Sequence, residues 1–290
     1  MRLKKKSPCK VNLLLNILGK RADGFHELET VMQPVNLFDE ITLERGGEGI
    51  QLFCNHAELP TDSKNLVYRA ADAFLKSHNL CMGIRIHLQK NIPLAAGLGG
   101  GSGNAATTLL GMNELFGSPL PIQALDSIAA TLGSDIPFFL YDKPVLATGR
   151  GEKVKLLENF PALKGKAFLL IHPGFGISTP WSYQNLAHFP EALNGKKGRA
   201  EKLISLLQQS DLKTAAAEIY NSLEAPAFDK FPVLQLYKDF LREHGALVSL
   251  MSGSGSTTFA IAENLVAAEN LAEKFKSQFG DKGWLATVKI

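Results

Sequence analysis

The sequence predicts an α+β fold, arranged as one large domain or two medium-sized domains. Segments typical of strands and of helices intermingle along the chain without a strict strand–helix alternation, which favours α+β over a parallel α/β sheet. The 290 residues are enough to bury a large core, and a content of 45% hydrophobic and 20% charged residues is typical of a globular chain. The sequence contains no internal repeat and no low-complexity tract.

The N-terminal half begins with a strand of mixed polarity. Residues 11–17 alternate with a period of two, so Lys10, Asn12 and Asn16 share one face of this strand. Asp23 and Gly24 follow as a turn. The elements predicted next are strands over 28–35 and 39–44, a helix over 65–77, a strand over 84–88, a helix ending near Gly117, and a helix over 122–132 that stops at Gly133.

The composition changes around residues 156–165, where Pro161, Gly165 and several lysines predict a domain boundary. We therefore divide the chain into an N-terminal domain, residues 1–160, and a C-terminal domain, residues 161–290. The elements predicted in the C-terminal domain are a strand over 168–172, two helices between about 199 and 244, a strand near 246–250, a turn at 253–255, a strand over 257–262, a helix over 265–279 and a closing strand over 285–290.

Charge and cysteine content exclude several classes of protein. The net charge of +3 is too small to indicate a nucleic-acid partner, and the basic run Lys4–Lys6 is explained by a solvated terminus. No apolar run approaches the roughly 20 residues of a membrane span, and polar residues within Val11–Leu18 argue against a signal peptide. Cys9, Cys54 and Cys81 are odd in number and widely separated, which predicts no zinc site, no disulfide framework and a reducing, cytoplasmic compartment.

The most informative stretch is a glycine-rich loop over residues 93–107. It places five glycines in seven residues directly before an alanine-rich segment that predicts the first turns of a helix. Glycine lets the backbone adopt positive φ and approach a ligand closely, and a helix N-terminus offers unpaired N–H groups to an anion. The loop is therefore predicted to bind a phosphate group rather than to form a simple surface turn.

Two common phosphate-loop patterns do not fit this stretch. No lysine lies between Pro93 and Thr108, which excludes the Walker A spacing, and the pattern G-x-G-x-x-G reaches Ser102 or Asn104 where it needs glycine. The cation for the phosphates must therefore come from elsewhere in the chain or from Mg²⁺. Ser102 supplies a hydroxyl that either caps the helix or contacts a metal, and capping is the favoured role.

Three further segments contain residues that suit a catalytic site. Lys10 and Asn12 form either a polar substrate pocket or a site where the lysine buries its stem and exposes its ammonium, and the spacing does not distinguish the two. Asp135 follows a helix end, where a carboxylate more often bonds nearby backbone in a turn than acts as a general base. Residues 251–257 form either a hairpin turn or a surface that packs against a ligand or against the first glycine loop.

Together these segments resemble the GHMP kinase family, which includes galactokinase, homoserine kinase and mevalonate kinase. The family has an N-terminal strand motif, a Pro-x-x-x-Gly-Leu-Gly-Gly-Ser-like phosphate loop and a late Gly-Ser-Gly loop, in the order seen in this chain. The resemblance implies an ATP- and Mg²⁺-dependent phosphotransferase with a ribosomal-protein-S5-like N-terminal domain that holds ATP and a ferredoxin-like α/β-plait C-terminal domain. The ATP-binding residues that it implies are Pro93, Leu94, Ala95, Ala96, Gly97, Leu98, Gly99, Gly100, Gly101, Ser102 and Gly103, with Asn65 and Leu66 at the adenine end.

Four stretches are most similar to the branch of the family that phosphorylates the 2-hydroxyl of diphosphocytidyl-methylerythritol, an isoprenoid precursor. They cover residues 8–12, 21–26, 97–106 and 133–137, and the second is the most discriminating. By this resemblance Asp135 is the catalytic base, and Lys10 holds and polarises the hydroxyl while keeping the carboxylate ionised. The acceptor-binding residues that it implies are Asn12, Phe25, His26, Thr179 and Tyr183, with His26 at the cytosine edge and the rings of Phe25 and Tyr183 stacked on the base.

The chain departs from the family pattern at a few positions. Phe25 replaces a tyrosine, Ala95 and Ala96 replace glycines, Gly103 replaces a serine and Ser134 replaces an alanine. The glycine at position 103 leaves Ser102 with less help at the phosphates, so the Mg²⁺ ligands are left open, with Ser102 as a candidate. The resemblance is compatible with a monomer or a homodimer.

Two alternative functions are considered beside this one. The first is another GHMP kinase that acts on homoserine or a mevalonate derivative, and Phe25 and His26 argue against it because those acceptors carry no base to stack. The second is a catalytically inactive nucleotide-binding sensor. The presence of both Lys10 and Asp135 argues against a sensor.

Overall fold

The computed structural model describes residues 2–77 and 82–290. Within them the strands are β1 (Arg2–Lys20), β2 (His26–Arg45), β3 (Ile50–Cys54), β4 (Ile84–Gln89), β5 (Val145–Gly149), β6 (Lys153–Leu156), β7 (Ala167–His172), β8 (Tyr220–Asn221), β9 (Val248–Met251), β10 (Thr258–Ala262) and β11 (Trp284–Lys289). The helices are α1 (Leu66–Ser77), α2 (Gly100–Leu115), α3 (Ile122–Leu132), α4 (Thr179–Asn185), α5 (Pro190–Leu193), α6 (Arg199–Gln208), α7 (Leu212–Ala215), α8 (Glu224–Lys230), α9 (Pro232–Glu243) and α10 (Leu265–Phe279). Short 3₁₀ helices cover Pro137–Leu140, Pro161–Leu163 and Leu186–His188. Cys81, one of the cysteines considered above, lies outside the described residues.

The α+β class is confirmed, and most predicted elements lie within a few residues of their expected bounds. The helices predicted over 122–132 and 265–279 match α3 and α10 at both ends. β1 begins at Arg2, well before the predicted strand. Residues 2–6 follow the period of a strand, since their side chains alternate between exposed and partly buried. Three consecutive lysines conceal that alternation in the sequence, so the basic run is part of a strand.

The segment between residues 199 and 244 is more complex than predicted. The two expected helices correspond to α6 and α9, but α7, β8 and α8 lie between them. These three elements have four, two and seven residues, too few for a helical or strand period to be recognised. β8 pairs in parallel with β1 at Leu14 and Leu15, so the missed strand lies beside the one that carries Lys10 and Asn12.

The chain divides into two compact units, each built from several segments. The first unit comprises residues 2–9, Leu37–Ile92 and Gly99–Asp142. In it β4 pairs in parallel with β3 and antiparallel with β2, while α1 and α2 pack on one another. A Cβ added at Gly111 would lie 2.4 Å from Leu43 Cδ1, so the glycine lets α2 approach the sheet closely.

A buried polar cluster in the first unit connects β2, the segment after β4, and α2. Asp39 is fully buried, and one of its carboxylate oxygens accepts hydrogen bonds from the N–H groups of Asn91 and Ile92 at 2.7 and 2.9 Å. The other oxygen accepts from Asn104 Nδ2 at 2.9 Å and from the buried ammonium of Lys90. Because Asn104 lies in the second turn of α2, this cluster fixes the start of that helix.

The second unit comprises Lys10–Asn36, Pro93–Leu98 and Lys143–Ile290. It contains a four-stranded antiparallel sheet in the order β11, β7, β10, β9, and α9 and α10 pack against that sheet. In the same unit β5 pairs antiparallel with β2 and with β6. None of the helices in the described part of the chain combines the length and the apolar character needed to cross a membrane.

We expect Asp39→Asn to lower the free energy of unfolding by about 3–5 kcal/mol, because the ammonium of Lys90 then stays buried beside a neutral amide. Glu40→Gln is the matched control: the same chemical change one residue away, where Glu40 pairs with the exposed Lys4, costs about 0–1 kcal/mol. Urea unfolding followed by circular dichroism measures both losses. Small and equal losses in the two variants would contradict the structural role of the cluster.

Candidate active site

β1 places two polar side chains on one face of a buried strand. Lys10 and Asn12 are each 3% exposed. Lys10 Nζ donates to Asn12 Oδ1 at 2.5 Å and to the carbonyl oxygen of Gly97 at 2.8 Å. Asn12 Nδ2 donates to Thr30 Oγ1 at 2.9 Å, which fixes the orientation of the amide. The alternative in which Lys10 exposes its ammonium is therefore wrong, because the charge is buried among polar partners.

The two glycine-containing loops pack directly on one another. Ser252 Oγ donates to the Gly97 carbonyl at 3.0 Å, and the Thr257 N–H donates to the Ala96 carbonyl at 3.1 Å. Gly97 has a φ of +75°, and a Cβ added there would lie 2.0 Å from the Ser252 carbonyl oxygen. The predicted packing of residues 251–257 against the first loop is confirmed, and the same segment is the hairpin loop between β9 and β10.

Ala95 shows how the chain accommodates one of its departures from the family pattern. Its φ is +49°, a region that costs a residue with a side chain about 1–2 kcal/mol. Gly176 lies opposite, where an added Cβ would be 2.6 Å from the Cβ of Ala95. The absence of a side chain at Gly176 makes room for the methyl group of Ala95.

The start of α2 presents free backbone N–H groups. α2 is preceded by Gly99, with a φ of +68°, and its first bond runs from the Gly103 N–H to the Gly99 carbonyl at 2.9 Å. The N–H groups of residues 100–102 therefore have no intrahelical acceptor, which suits the binding of an anion. Ser102 lies inside the first turn, and no side chain caps this helix end. The favoured capping role of Ser102 is therefore wrong.

The close packing of α2 on β1 explains the glycine at position 103. A Cβ added there would lie 2.4 Å from the carbonyl oxygen of Pro8 on β1. A serine at this position would have to push α2 and β1 apart. Gly103 therefore permits their close approach in the first unit.

The residues expected at the adenine end lie at the start of α1. Asn65 Oδ1 accepts a hydrogen bond from the Val67 N–H at 2.9 Å, and Asn65 Nδ2 donates to the Pro60 carbonyl at 2.8 Å. The amide of Asn65 therefore caps α1. Leu66 Cδ1 lies 3.8 Å from a Cβ added at Gly101, so Leu66 is next to the first turn of α2.

Asp135 lies in the turn between α3 and the 3₁₀ helix Pro137–Leu140, and it is exposed. Among the described residues of the first unit, no group donates a hydrogen bond to its carboxylate. The expectation that this side chain bonds nearby backbone in the turn is therefore wrong. Both carboxylate oxygens are left to accept a proton or a hydrogen bond.

Two of the residues expected to bind the acceptor base contact one another. The rings of His26 and Tyr183 have centroids 5.3 Å apart and planes inclined by 37°. Phe25 precedes His26 at the end of a turn and is 54% exposed. Burial, and then the positive charge of Lys20, lower the pKa of His26. Its ring therefore stays neutral at pH 7.

Thr179 is the first residue of α4 and contacts the second loop. Its Oγ1 is 2.8 Å from Ser254 Oγ. Within the second unit, the expected residues therefore come together in three places: Lys10 and Asn12 at Gly97, His26 at Tyr183, and Thr179 at Ser254. Asp135, Asn65 and Leu66 belong to the first unit.

Two buried residues that the sequence analysis did not select hold the second loop in place. Asn221 Nδ2 donates to the carbonyls of Met251 and Gly253 at 2.7 and 2.8 Å. Glu224 Oε1 accepts from the Met251 N–H at 2.8 Å, and burial raises the pKa of this carboxyl group. A Cβ added at Gly253 would lie 3.2 Å from Lys10 Nζ. The loop that Asn221 and Glu224 fix therefore lies directly beside the Lys10 ammonium. The one signal that the sequence offers for these residues is an Asn and a Glu three positions apart, with Ser222 and Leu223 between them.

Each unit by itself offers groups that suit phosphate chemistry. The second unit offers a fixed ammonium and amide beside a glycine loop, and the first unit offers the open N–H groups of α2. An ammonium polarises a hydroxyl or neutralises negative charge, and helix-start N–H groups bind phosphate oxygens.

Comparison with known proteins agrees with this chemistry. Residues 65–143 match the family model described as GHMP kinases N terminal domain, and residues 203–281 match the one described as GHMP kinases C terminal. A 4-diphosphocytidyl-2-C-methyl-D-erythritol kinase from Syntrophus aciditrophicus (strain SB) is 42% identical over 99% of this chain and 98% of that protein.

Solved structures extend the similarity to the fold. A crystal structure of a 4-(cytidine 5′-diphospho)-2C-methyl-D-erythritol kinase is similar with a TM-score of 0.82 at 34% identity, covering 99% of this chain and 100% of that one. Homoserine kinase from Cytophaga hutchinsonii has a TM-score of 0.77 at 21% identity, covering 100% of this chain and 95% of that one, and shares the fold. The predicted two-domain architecture is confirmed, and the chain belongs to the GHMP kinase family.

Proposed function

We propose that this chain is a 4-diphosphocytidyl-2-C-methyl-D-erythritol kinase, which transfers the γ-phosphoryl group of ATP to the 2-hydroxyl of its acceptor in the synthesis of isoprenoid precursors. Similarity over nearly the full length to kinases of that name supports this activity. One observation carries this proposal: the rings of His26 and Tyr183 contact one another, and Phe25, the residue before His26, has an exposed ring. His26 can form hydrogen bonds with the edge of a cytosine base, and the rings of Phe25 and Tyr183 can stack on its faces. Homoserine and mevalonate have no such base.

ATP, the phosphoryl donor of the family, is proposed to bind through the loop and helix start over residues 93–103, with Asn65 and Leu66 at the adenine. Mg²⁺ at kinase sites takes one or two protein ligands and completes its shell with phosphate oxygens and waters. The described residues contain no group of three or more His, Cys, Asp or Glu that could hold a metal alone, which fits an ion that enters with ATP. Ser102 is the candidate ligand, because its hydroxyl lies in the first turn of α2 without capping it. When bound, the ion neutralises charge on the transferred group.

Asp135 is proposed to take the proton of the acceptor 2-hydroxyl. The hydroxyl oxygen forms a bond to the γ-phosphorus, and the bond from that phosphorus to the bridging oxygen of ADP breaks. The carboxylate is suited to this role because no donor among the described residues of its own unit occupies it. Lys10 polarises the same hydroxyl and is oriented by Asn12. Positioning and charge stabilisation supply most of the rate enhancement in phosphoryl transfer.

The remaining assignments are also proposals. Thr179 and Asn12 complete the acceptor site. The cysteines are odd in number and widely separated in the sequence, which suits the reducing cytoplasm, and the net charge of +3 suits small-molecule substrates more than nucleic acid. The protein is proposed to act there as a monomer or a homodimer. A domain boundary between residues 160 and 161 is supported by the two family matches, which fall on either side of it.

The substrate assignment is tested by ADP release from the purified protein with ATP, Mg²⁺ and one acceptor at a time. We expect release with 4-diphosphocytidyl-2-C-methyl-D-erythritol and only background release with homoserine, mevalonate or galactose. Turnover of another alcohol would contradict the roles of Phe25, His26 and Tyr183. Binding of ATP without turnover of any acceptor would favour the nucleotide-binding sensor.

The catalytic base is tested by Asp135→Asn. We expect kcat to fall by about 100-fold or more, because an amide cannot accept the hydroxyl proton, while ATP still binds. Asp142→Asn removes one carboxylate from another exposed position of the same unit and is expected to leave kcat unchanged. Near-normal turnover of Asp135→Asn would end the assignment.

The base-reading role is tested by His26→Ala. We expect the KM for the cytidyl acceptor to rise about tenfold and the KM for ATP to stay constant, since one hydrogen bond to the acceptor is lost. His188→Ala removes an exposed histidine of the same unit and serves as the control. An equal rise in both KM values would point to a folding defect and contradict the role.

A further inference from the structure

Arg150 lies over the ring of Phe25, a contact that no motif of the sequence indicates. The guanidinium carbon is 4.6 Å from the ring centroid. Arg150 is exposed, and Phe25 is 54% exposed. One face of Phe25 is therefore covered by a cation, and much of the ring is still open to a ligand.

Strand register explains why Arg150 reaches this ring. β5 runs antiparallel to β2, and its last residue, Gly149, is paired with Leu28. The residue after Gly149 therefore continues alongside the start of β2, where Phe25 and His26 lie. The register of the sheet therefore brings the backbone of Arg150 alongside the segment that carries Phe25.

The hairpin loop between β5 and β6 is itself held by a carboxylate. Gly149 and Gly151, on either side of Arg150, have φ values of +75° and +107°. Glu152 Oε2 accepts the Arg150 N–H at 2.6 Å. Hydrogen bonds from its own N–H and from the Arg150 N–H lower the pKa of Glu152, so this carboxylate is ionised at pH 7. The backbone that carries Arg150 is therefore fixed.

The turn that carries Phe25 is fixed as well, and its acidic residues are already paired. Asp23 Oδ1 accepts the Phe25 N–H at 3.1 Å, and Asp23 Oδ2 is 3.2 Å from Arg21 Nε. Arg21 Nη1 also donates to Glu27 at 2.5 Å. Arg150 is close enough to Asp23 to contribute to lowering its pKa. Yet within the described residues of the second unit, the nearby carboxylates of Asp23 and Glu27 pair with Arg21, and none forms an ion pair with the Arg150 guanidinium.

We propose that Arg150 binds the diphosphate of the cytidine acceptor while its guanidinium plane rests on Phe25. This inference rests on the proposed function and adds to it a residue for the anionic part of the substrate. A guanidinium presents planar N–H donors that match phosphate oxygens, and it also stacks on aromatic rings. A ring with a cation on one face keeps its other face for a base. A nucleoside diphosphate supplies both groups that this pair can bind.

The competing interpretation is that Arg150 only covers Phe25 and stabilises the fold. The two interpretations predict different effects of Arg150 on the binding of cytidine and of cytidine 5′-diphosphate. A residue that only covers the ring affects cytidine and cytidine 5′-diphosphate equally, because both carry the same base. A residue that binds the diphosphate affects cytidine 5′-diphosphate alone.

The test is calorimetric binding of cytidine 5′-diphosphate and of cytidine to the full chain and three variants. Arg150→Ala removes charge and stacking, and Arg150→Lys keeps the charge without the planar donors. Lys155→Ala is the matched control, because it removes one positive charge from an exposed position on the β6 side of the same hairpin. Circular dichroism verifies folding, and Arg150→Lys carries the test if Arg150→Ala does not fold.

We expect Arg150→Ala to weaken binding of cytidine 5′-diphosphate about tenfold and that of cytidine less than twofold, with an intermediate loss in Arg150→Lys and none in Lys155→Ala. Unchanged diphosphate binding in Arg150→Ala, equal losses for both ligands, or an equal loss in Lys155→Ala would overturn the proposal. Binding needs no turnover, so these outcomes are independent of the acceptor assay. Failure of the proposed function would instead appear as no ADP release by the unaltered protein with the cytidyl acceptor.

Discussion

The carbonyl group of Gly97 is the contact on which the candidate site depends. It accepts hydrogen bonds from Lys10 Nζ and from Ser252 Oγ. Burying an ammonium is costly unless its donors are satisfied, and a carbonyl held in place on its loop provides one such partner. A side chain at position 97 would collide with the Ser252 carbonyl. The glycine that marks the loop in the sequence is therefore also what lets the two loops close on Lys10.

Residues far from the motifs keep this contact in place. In the second unit, Asn221 and Glu224 form hydrogen bonds with the backbone of Met251 and Gly253. These bonds fix the loop whose Ser252 donates to the Gly97 carbonyl. In the first unit, a separate buried network of Asp39 and Lys90 fixes the start of α2 through Asn104. Groups that are already oriented need no reorganisation when charge moves during a reaction. The buried polar networks therefore support the proposed chemistry without touching substrate.

Local pattern was enough to predict the strand that carries Lys10, the helix after the glycine loop and the family. Contacts between distant segments were not predictable in this way. Asp39 and Lys90 are 51 positions apart, and nothing near either one indicates burial. Asn221 lies on a two-residue strand, too short to give a period. The sequence does not show that Ser102 leaves the helix end uncapped, because α2 begins at Gly100, ahead of the hydroxyl. It does not indicate the contact of Arg150 with Phe25 either, because that contact follows from the register of β5 on β2.

Amide hydrogen exchange without nucleotide tests most directly whether the loop is assembled before its ligand arrives. The Lys10 N–H donates to the Leu98 carbonyl, and the Thr257 N–H donates to the Ala96 carbonyl. If these bonds hold the loop, both amides exchange as slowly as a central sheet amide such as that of Leu170. Fast exchange at both amides, slowed only after ATP is added, would mean that the ligand builds the loop and would contradict a preassembled site.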